Sequence, residues 1–330
     1  MNDATVGRRK CPALTLLALL GLLLLLLAAC SSGSPSVSEA ETGVLTLPPV
    51  SARAEEGQRL RVVATTSIIG DVVGRVGGGA IDLTTLMRPG QDPHSYQPAA
   101  TDLTAAADAD VIFINGWNLE EALVGDLDSI GRRATIVPVS AGIEPLAAGK
   151  GAANPHVWLD VANVIRWVEN VRQVLGAADP ANAATSDANA AAYRAELEQL
   201  DADLRATLAT IPPARRVLVT NHDNLGYFAT AYGFEVAGTV IPSVSALAEP
   251  TAKDLSELVG LMTAEGICAL VVETTANDQL ARMLERELTD CDEVHLITLY
   301  TDALGPPGSA AADYIGMMRA NAAALVAGLT

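Results

Sequence analysis

From Ala181 to Ile211 the chain contains neither glycine nor proline, and within that stretch Tyr193, Leu197, Leu200, Leu204 and Leu208 recur at three- and four-residue steps. That spacing lines the five side chains along one face of an α-helix. It predicts a single helix over about Ala181 to Thr210, roughly eight turns long. Pro180 suits its first turn and Pro212-Pro213 ends it. A helix of this length acts as a stiff spine, and what precedes and follows it must be built as separate lobes.

Both flanks carry the same kind of pattern. Short β-rich runs at Leu60 to Thr65, Ile81 to Met87, Val111 to Asn115 and Ala134 to Val139 alternate with helical stretches, the last from Val161 to Leu175. After the spine, strands are expected at Val217 to Thr220, Phe234 to Val240, Ile267 to Glu273 and Val294 to Leu299. Helices are expected near Thr251 to Thr263, Asp278 to Leu288 and Ala310 to Leu329. Strand–helix alternation implies an α/β fold in which each lobe is a parallel sheet flanked by helices. A ligand would then sit between the lobes, near the carboxyl ends of the strands. The expected organisation is a leader at 1–29, a tether at 30–54, a first lobe at 55–178, the linking helix at 179–213 and a second lobe at 214–330.

The leader has Arg8, Arg9 and Lys10 before an apolar run from Leu14 to Ala29, which closes on Leu27-Ala28-Ala29-Cys30. Small residues before a cysteine at the end of such a run form a lipobox, so Cys30 is expected to be lipidated and to become the first residue of the mature protein. The protein is thus expected outside the cytoplasm, anchored by lipid to the outer face of the bacterial cell membrane. Residues from Ser31 to about Ala54, rich in Ser, Gly, Pro and Glu, read as a flexible tether. Of the four cysteines, Cys11 is lost with the leader, and Cys268 and Cys291 remain. In an oxidising compartment they are expected as a disulfide, because each stands at the start of a neighbouring strand. The net charge of −18 excludes a nucleic-acid partner, which needs a basic surface, and leaves room for a cationic ligand.

Three of the four histidines sit in loops or just after strands, spread over both lobes: His94, His156 and His222. Imidazole is the commonest nitrogen ligand for zinc and its neighbours. Asp302, after the last strand, is the best-placed fourth donor, although aspartate also caps helices and turns. His295 lies inside a strand and reads as structural. Trp117 and Trp158 read as core or lobe-interface residues. Glu120 and Glu121 open a helix, where they complement its dipole, and receive no further role.

The motifs around these residues resemble a known family, the TroA-like or ZnuA-like solute-binding lipoproteins of bacterial zinc and manganese ABC importers, over about Arg61 to Leu329. Val63-Ala64-Thr65-Thr66-Ser67-Ile68-Ile69-Gly70-Asp71 is similar to the family's opening strand and helix. Gly90-Gln91-Asp92-Pro93-His94-Ser95-Tyr96-Gln97-Pro98 resembles its first ligand motif, and Asn154-Pro155-His156-Val157-Trp158-Leu159-Asp160 its second. His222-Asp223-Asn224-Leu225-Gly226-Tyr227-Phe228 resembles the third, where the family places histidine or glutamate, and Thr301-Asp302 the acidic fourth. Glu249-Pro250-Thr251 and Met317-Met318-Arg319-Ala320-Asn321 are similar to family helices. Leu225 replaces a common phenylalanine and Val161 a common proline. The histidine-rich loop often found in zinc-binding members is missing, since Asn118 to Ala153 holds no histidine.

The resemblance implies a monomer that binds a divalent metal through His94, His156, His222 and Asp302 and passes it to a permease with its ATPase. Three imidazoles and one carboxylate suit tetrahedral zinc, with manganese as the alternative. A zinc metalloenzyme is a further reading, but a catalytic zinc keeps an open position, and the sequence contains no HExxH helix. Metal release is expected to be gated by the loop carrying Asp302, with Gly305 and Gly308 letting it swing while the glycine-free spine holds the lobes.

Overall fold

The computed structural model describes residue 1 and residues 42–54, 57–130 and 133–330. The leader and Cys30 lie outside the described residues, and among those described no helix is long and apolar enough to cross a membrane.

The first lobe is a parallel sheet in the order β2-β1-β3-β4, built from β1 (Leu60–Ala64), β2 (Ile81–Thr85), β3 (Val111–Ile114) and β4 (Thr135–Pro138). Every residue of β3 is buried, as expected of an interior parallel strand covered on both faces. Around the sheet lie α1 (Ser67–Gly77), α2 (Ala100–Asp108), α3 (Glu121–Ile130) and α4 (Val161–Ala178). Helix α1 begins at Thr66, whose hydroxyl accepts the Ile69 N–H at 3.2 Å. Gly70 lets α1 lie close on the sheet, because a Cβ there would collide with the Thr85 side chain.

The spine is α5 (Ala183–Leu208), two residues shorter at each end than the spacing implies. Pro180 lies in the turn before it, where the Asp179 carboxylate accepts from the Asn182 side chain at 2.7 Å. The expected periodicity holds: Tyr193, Leu197, Leu200, Leu204 and Leu208 are all buried, against α4, α1 and the last helix, α9 (Tyr314–Leu329).

The second lobe contains β5 (Val217–His222) paired with β6 (Glu235–Ile241), and β7 (Ala269–Glu273) paired with β8 (His295–Leu299), all parallel. Strands β5 and β7 run side by side, so the order 2-1-3-4 of the first lobe recurs as β6-β5-β7-β8. The ladder hydrogen bonds of this lobe run within the pairs β5-β6 and β7-β8. Helices α6 (Gly226–Tyr232), α7 (Ala252–Glu265) and α8 (Gln279–Glu287) complete the lobe. Thr251 and Asp254 form a capping box on α7, which stops at the left-handed Gly266. Cys268 and Cys291 are joined by a disulfide that ties the start of β7 to the turn before β8.

Two expectations change. The tether does not extend to Ala54: Leu45 is buried in the first-lobe core, the Gly142 N–H donates to its carbonyl at 2.9 Å, and the Trp117 indole donates to the Gly43 carbonyl at 2.9 Å. Val44, Leu45, Leu47 and Val50 give this stretch apolar side chains, and Leu47 and Val50 pack against the same core. The Asp302 loop is likewise anchored, not free. Residues 301–305 are buried, the Leu304 N–H donates to Ser67 Oγ at 3.1 Å, and its carbonyl accepts from Gly90 at 3.1 Å. Of the two glycines, only the exposed Gly308 uses positive φ. Burial of Leu304 against the first lobe outweighs the freedom that glycine content suggested.

Candidate metal centre

Each candidate ligand is delivered by the carboxyl end of a strand or by the loop beyond it. His94 follows β2 in a turn held by Asp92, which accepts the His94 N–H at 2.9 Å and the Ser95 hydroxyl at 2.6 Å. His156 precedes a single 3₁₀ turn, Val157–Leu159. His222 is the last residue of β5 itself, not of the loop after it, and Asp302 lies just beyond β8. The first two come from one lobe and the last two from the other, so the cluster lies between the lobes, on the side of the strands' carboxyl ends.

The structure brings all four together. One donor atom from each lies within 4.8 Å of the other three. The Nε2 atoms of His94 and His156 are 3.2 Å apart, those of His156 and His222 are 3.2 Å apart, and Asp302 Oδ1 is 3.7 Å from His156 Nε2. Four donors about 2.0–2.1 Å from a tetrahedral metal stand roughly 3.3 Å from one another. The cluster thus has the dimensions of a coordination shell. His156 and His222 are fully buried, and His94 and Asp302 are 2% exposed.

The second ring nitrogen of each of the three clustered histidines is already engaged. His94 Nδ1 faces Glu121 Oε1 at 3.3 Å, His156 Nδ1 faces Asn154 Oδ1 at 2.8 Å, and His222 Nδ1 faces Glu273 Oε1 at 2.8 Å. An acceptor at Nδ1 keeps the proton there and leaves Nε2 as a lone pair. Three lone pairs and a carboxylate oxygen with no hydrogen-bond partner thus converge on one point. Such an arrangement is repulsive until a cation or a proton enters it.

The titration of the cluster reflects that crowding. Burial, with the nearby His222 and His94 charges, drives the His156 imidazole well below its ordinary range. Burial also works against charge on His222, but the Glu273 carboxylate outweighs it and raises the pKa to about 9. Burial holds the Asp302 carboxyl above the usual range. Glu120, also fully buried, is raised by desolvation, although it accepts from the Thr65 hydroxyl at 2.6 Å and the Asn115 N–H at 2.8 Å.

Sequence reasoning missed Glu121, Glu273 and the role of Asn154. Glu121 does open α3, but its carboxylate also reaches His94. Glu273 ends β7, and its place at a strand's carboxyl end was the available signal. Trp158 is buried as expected, and its ring lies 5.3 Å from that of His156. His295 is exposed at the opposite, amino end of β8 and is not part of the cluster.

Comparison with known proteins gives a consistent picture. Residues 62–328 match the family described as zinc-uptake complex component A, periplasmic (ZnuA). The manganese-binding lipoprotein MntA of Halalkalibacterium halodurans is 35% identical over 281 residues, covering 84% of this chain and 91% of that protein. The zinc-binding protein TroA of Treponema pallidum is 33% identical over 281 residues, covering 84% and 90%. The solved structure of the periplasmic zinc-binding TroA superposes with a TM-score of 0.77 at 32% identity, over 83% of this chain and all (100%) of that one.

Proposed function

This chain belongs to the ZnuA family of metal-uptake components, and from that premise we propose that it captures zinc outside the cytoplasm and hands it to an ABC permease for import. The observation that carries the reading is the inward convergence of three Nε2 lone pairs and one carboxylate oxygen at tetrahedral spacing. Three borderline nitrogen donors and a single carboxylate match zinc better than a harder cation that prefers oxygen. His94, His156, His222 and Asp302 are the ligands in this proposal.

Binding, not catalysis, follows from the same geometry. Four protein donors close the shell, so no position is left for a substrate or an attacking water. The metal is cargo, and the permease with its ATPase subunit is the partner. Lipidation at Cys30 would hold the protein at the outer face of the membrane. Replacing Cys30 by serine would then move the protein from the membrane to the soluble fraction.

Manganese is the second reading, favoured by the 35% identity to a protein named for manganese. Elemental analysis of protein purified from cells, followed by zinc–manganese competition, separates the two. The expected result is a single zinc per chain that excess manganese does not displace. Displacement by manganese at comparable concentration would reassign the cargo, and a protein that takes up neither ion would overturn the reading.

A further inference from the structure

The three ring-nitrogen partners are not equivalent. His156 is held by a neutral amide, Asn154. His94 is held by Glu121, whose side chain is 32% exposed and lies at the longer distance of 3.3 Å. His222 is held by a carboxylate that is itself only 1% exposed, at 2.8 Å. Water screens the charge of Glu121, but almost nothing screens that of Glu273.

Glu273 is also poorly compensated. Its Oε1 accepts from both His222 Nδ1 and the Asn224 side-chain amide at 2.8 Å, while Oε2 has no hydrogen-bond partner. Its ion-pair partner is His222, and no lysine or arginine pairs with it among the described residues. Together with Asp302 it places two buried carboxylates in the second lobe. A buried carboxylate whose counter-charge is one histidine ring, with its second oxygen left without a hydrogen bond, is costly to keep in a fold, so a role for it is expected.

We propose, resting on the metal-binding reading above, that Glu273 is a positioning residue acting through His222: its anionic carboxylate fixes the Nδ1–H tautomer, aims Nε2 at the cation and strengthens it as a donor. The charge, and not the hydrogen bond alone, is the feature that matters. Asn154 shows that a neutral acceptor suffices to orient a histidine, and at His222 the fold uses a carboxylate instead. Metal affinity therefore depends on a residue that makes no bond to the metal. Loss of such an outer partner lowers metal affinity about 10–100-fold.

Glu273→Gln isolates the charge, because the amide oxygen still accepts from His222. Zinc affinity is measured against a chromophoric competitor for the wild type, Glu273→Gln, His222→Ala and the double variant. The expected result is a loss of about 10–100-fold for Glu273→Gln, with the double variant binding no more weakly than His222→Ala alone. Wild-type affinity in Glu273→Gln would overturn the inference. So would additive losses in the double variant, since Glu273 would then act on the fold at large and not through His222. If Glu273→Gln does not fold, Glu273→Asp and Glu273→Ala carry the same test: tighter binding by the aspartate supports the proposal, and equal affinity refutes it. A wild type that binds neither zinc nor manganese would instead overturn the metal-binding reading itself.

Discussion

Trp158 and Thr301 tie the two halves of the metal cluster to each other: the indole N–H of Trp158 donates to the Thr301 carbonyl at 2.6 Å, from one lobe to the other. Two residues before the tryptophan is His156, and one residue after the threonine is Asp302. The Tyr314 hydroxyl donates to the Trp158 carbonyl at 2.6 Å, which fixes the other side of the same residue. A buried strut thus runs between the segments that carry His156 and Asp302.

Trp158→Phe should therefore speed metal release. Phenylalanine keeps most of the packing but leaves the buried Thr301 carbonyl without its donor, at a cost of about 1–3 kcal/mol in stability. Chelator-induced dissociation followed by stopped flow should show release several-fold faster than wild type. An unchanged rate in a protein whose unfolding temperature has fallen would show that the strut supports the fold alone.

Alanine at His94, His156, His222 or Asp302 should each remove a large part of zinc affinity, because in the proposed site each supplies one of four donors. His295→Ala should leave it unchanged, since His295 is exposed on the second lobe and is not part of the cluster. Titration calorimetry reads all five variants, and wild-type binding by His156→Ala would exclude the assignment.

Zinc should stabilise the protein strongly. A ligand that binds only the native state at a free concentration about a thousandfold above its Kd adds roughly 4 kcal/mol. Thermal unfolding with added zinc, and again after excess chelator, should show a rise that the chelator reverses. His222→Ala should lose most of that rise.

The disulfide should contribute to the second lobe alone. Cys268 and Cys291 are separated by 23 residues, and a loop of that size is worth about 3 kcal/mol in the chain-entropy account. A Cys268→Ser/Cys291→Ser double variant should unfold earlier yet bind zinc with wild-type affinity, because the bridge lies at the amino ends of β7 and β8, away from the ligands.

Metal loading should leave the overall dimensions nearly unchanged. The spine packs along α4, α1 and α9, and on its surface Arg75 of α1 reaches Glu196 of the spine at 3.2 Å and Asp313 before α9 at 3.1 Å. Small-angle scattering with and without zinc should agree to within about an ångström, with the difference confined to hydrogen exchange near the cluster. A change of several ångströms would mean that the lobes hinge.

The α/β class, the spine and most strand positions were legible in the sequence because each rests on a local period: apolar steps of three and four along Tyr193 to Leu208, and short β-rich runs between turn residues. His94, His156, His222 and Asp302 were legible as candidates because short, distinctive motifs carry them in loops after predicted strands or before helices. What only the tertiary structure decided is which residues stand behind those candidates and which segments are held. Glu273 looked like the end of a strand and Glu121 like a helix start. Their carboxylates meet His222 and His94 across 51 and 27 residues of chain. Leu45 and Leu304 sit in stretches whose glycine and proline content suggests mobility, yet both are buried against the first lobe. Local composition reports the freedom a segment has in isolation. Burial against a surface assembled from distant parts of the chain removes that freedom, and no window of neighbouring residues contains it.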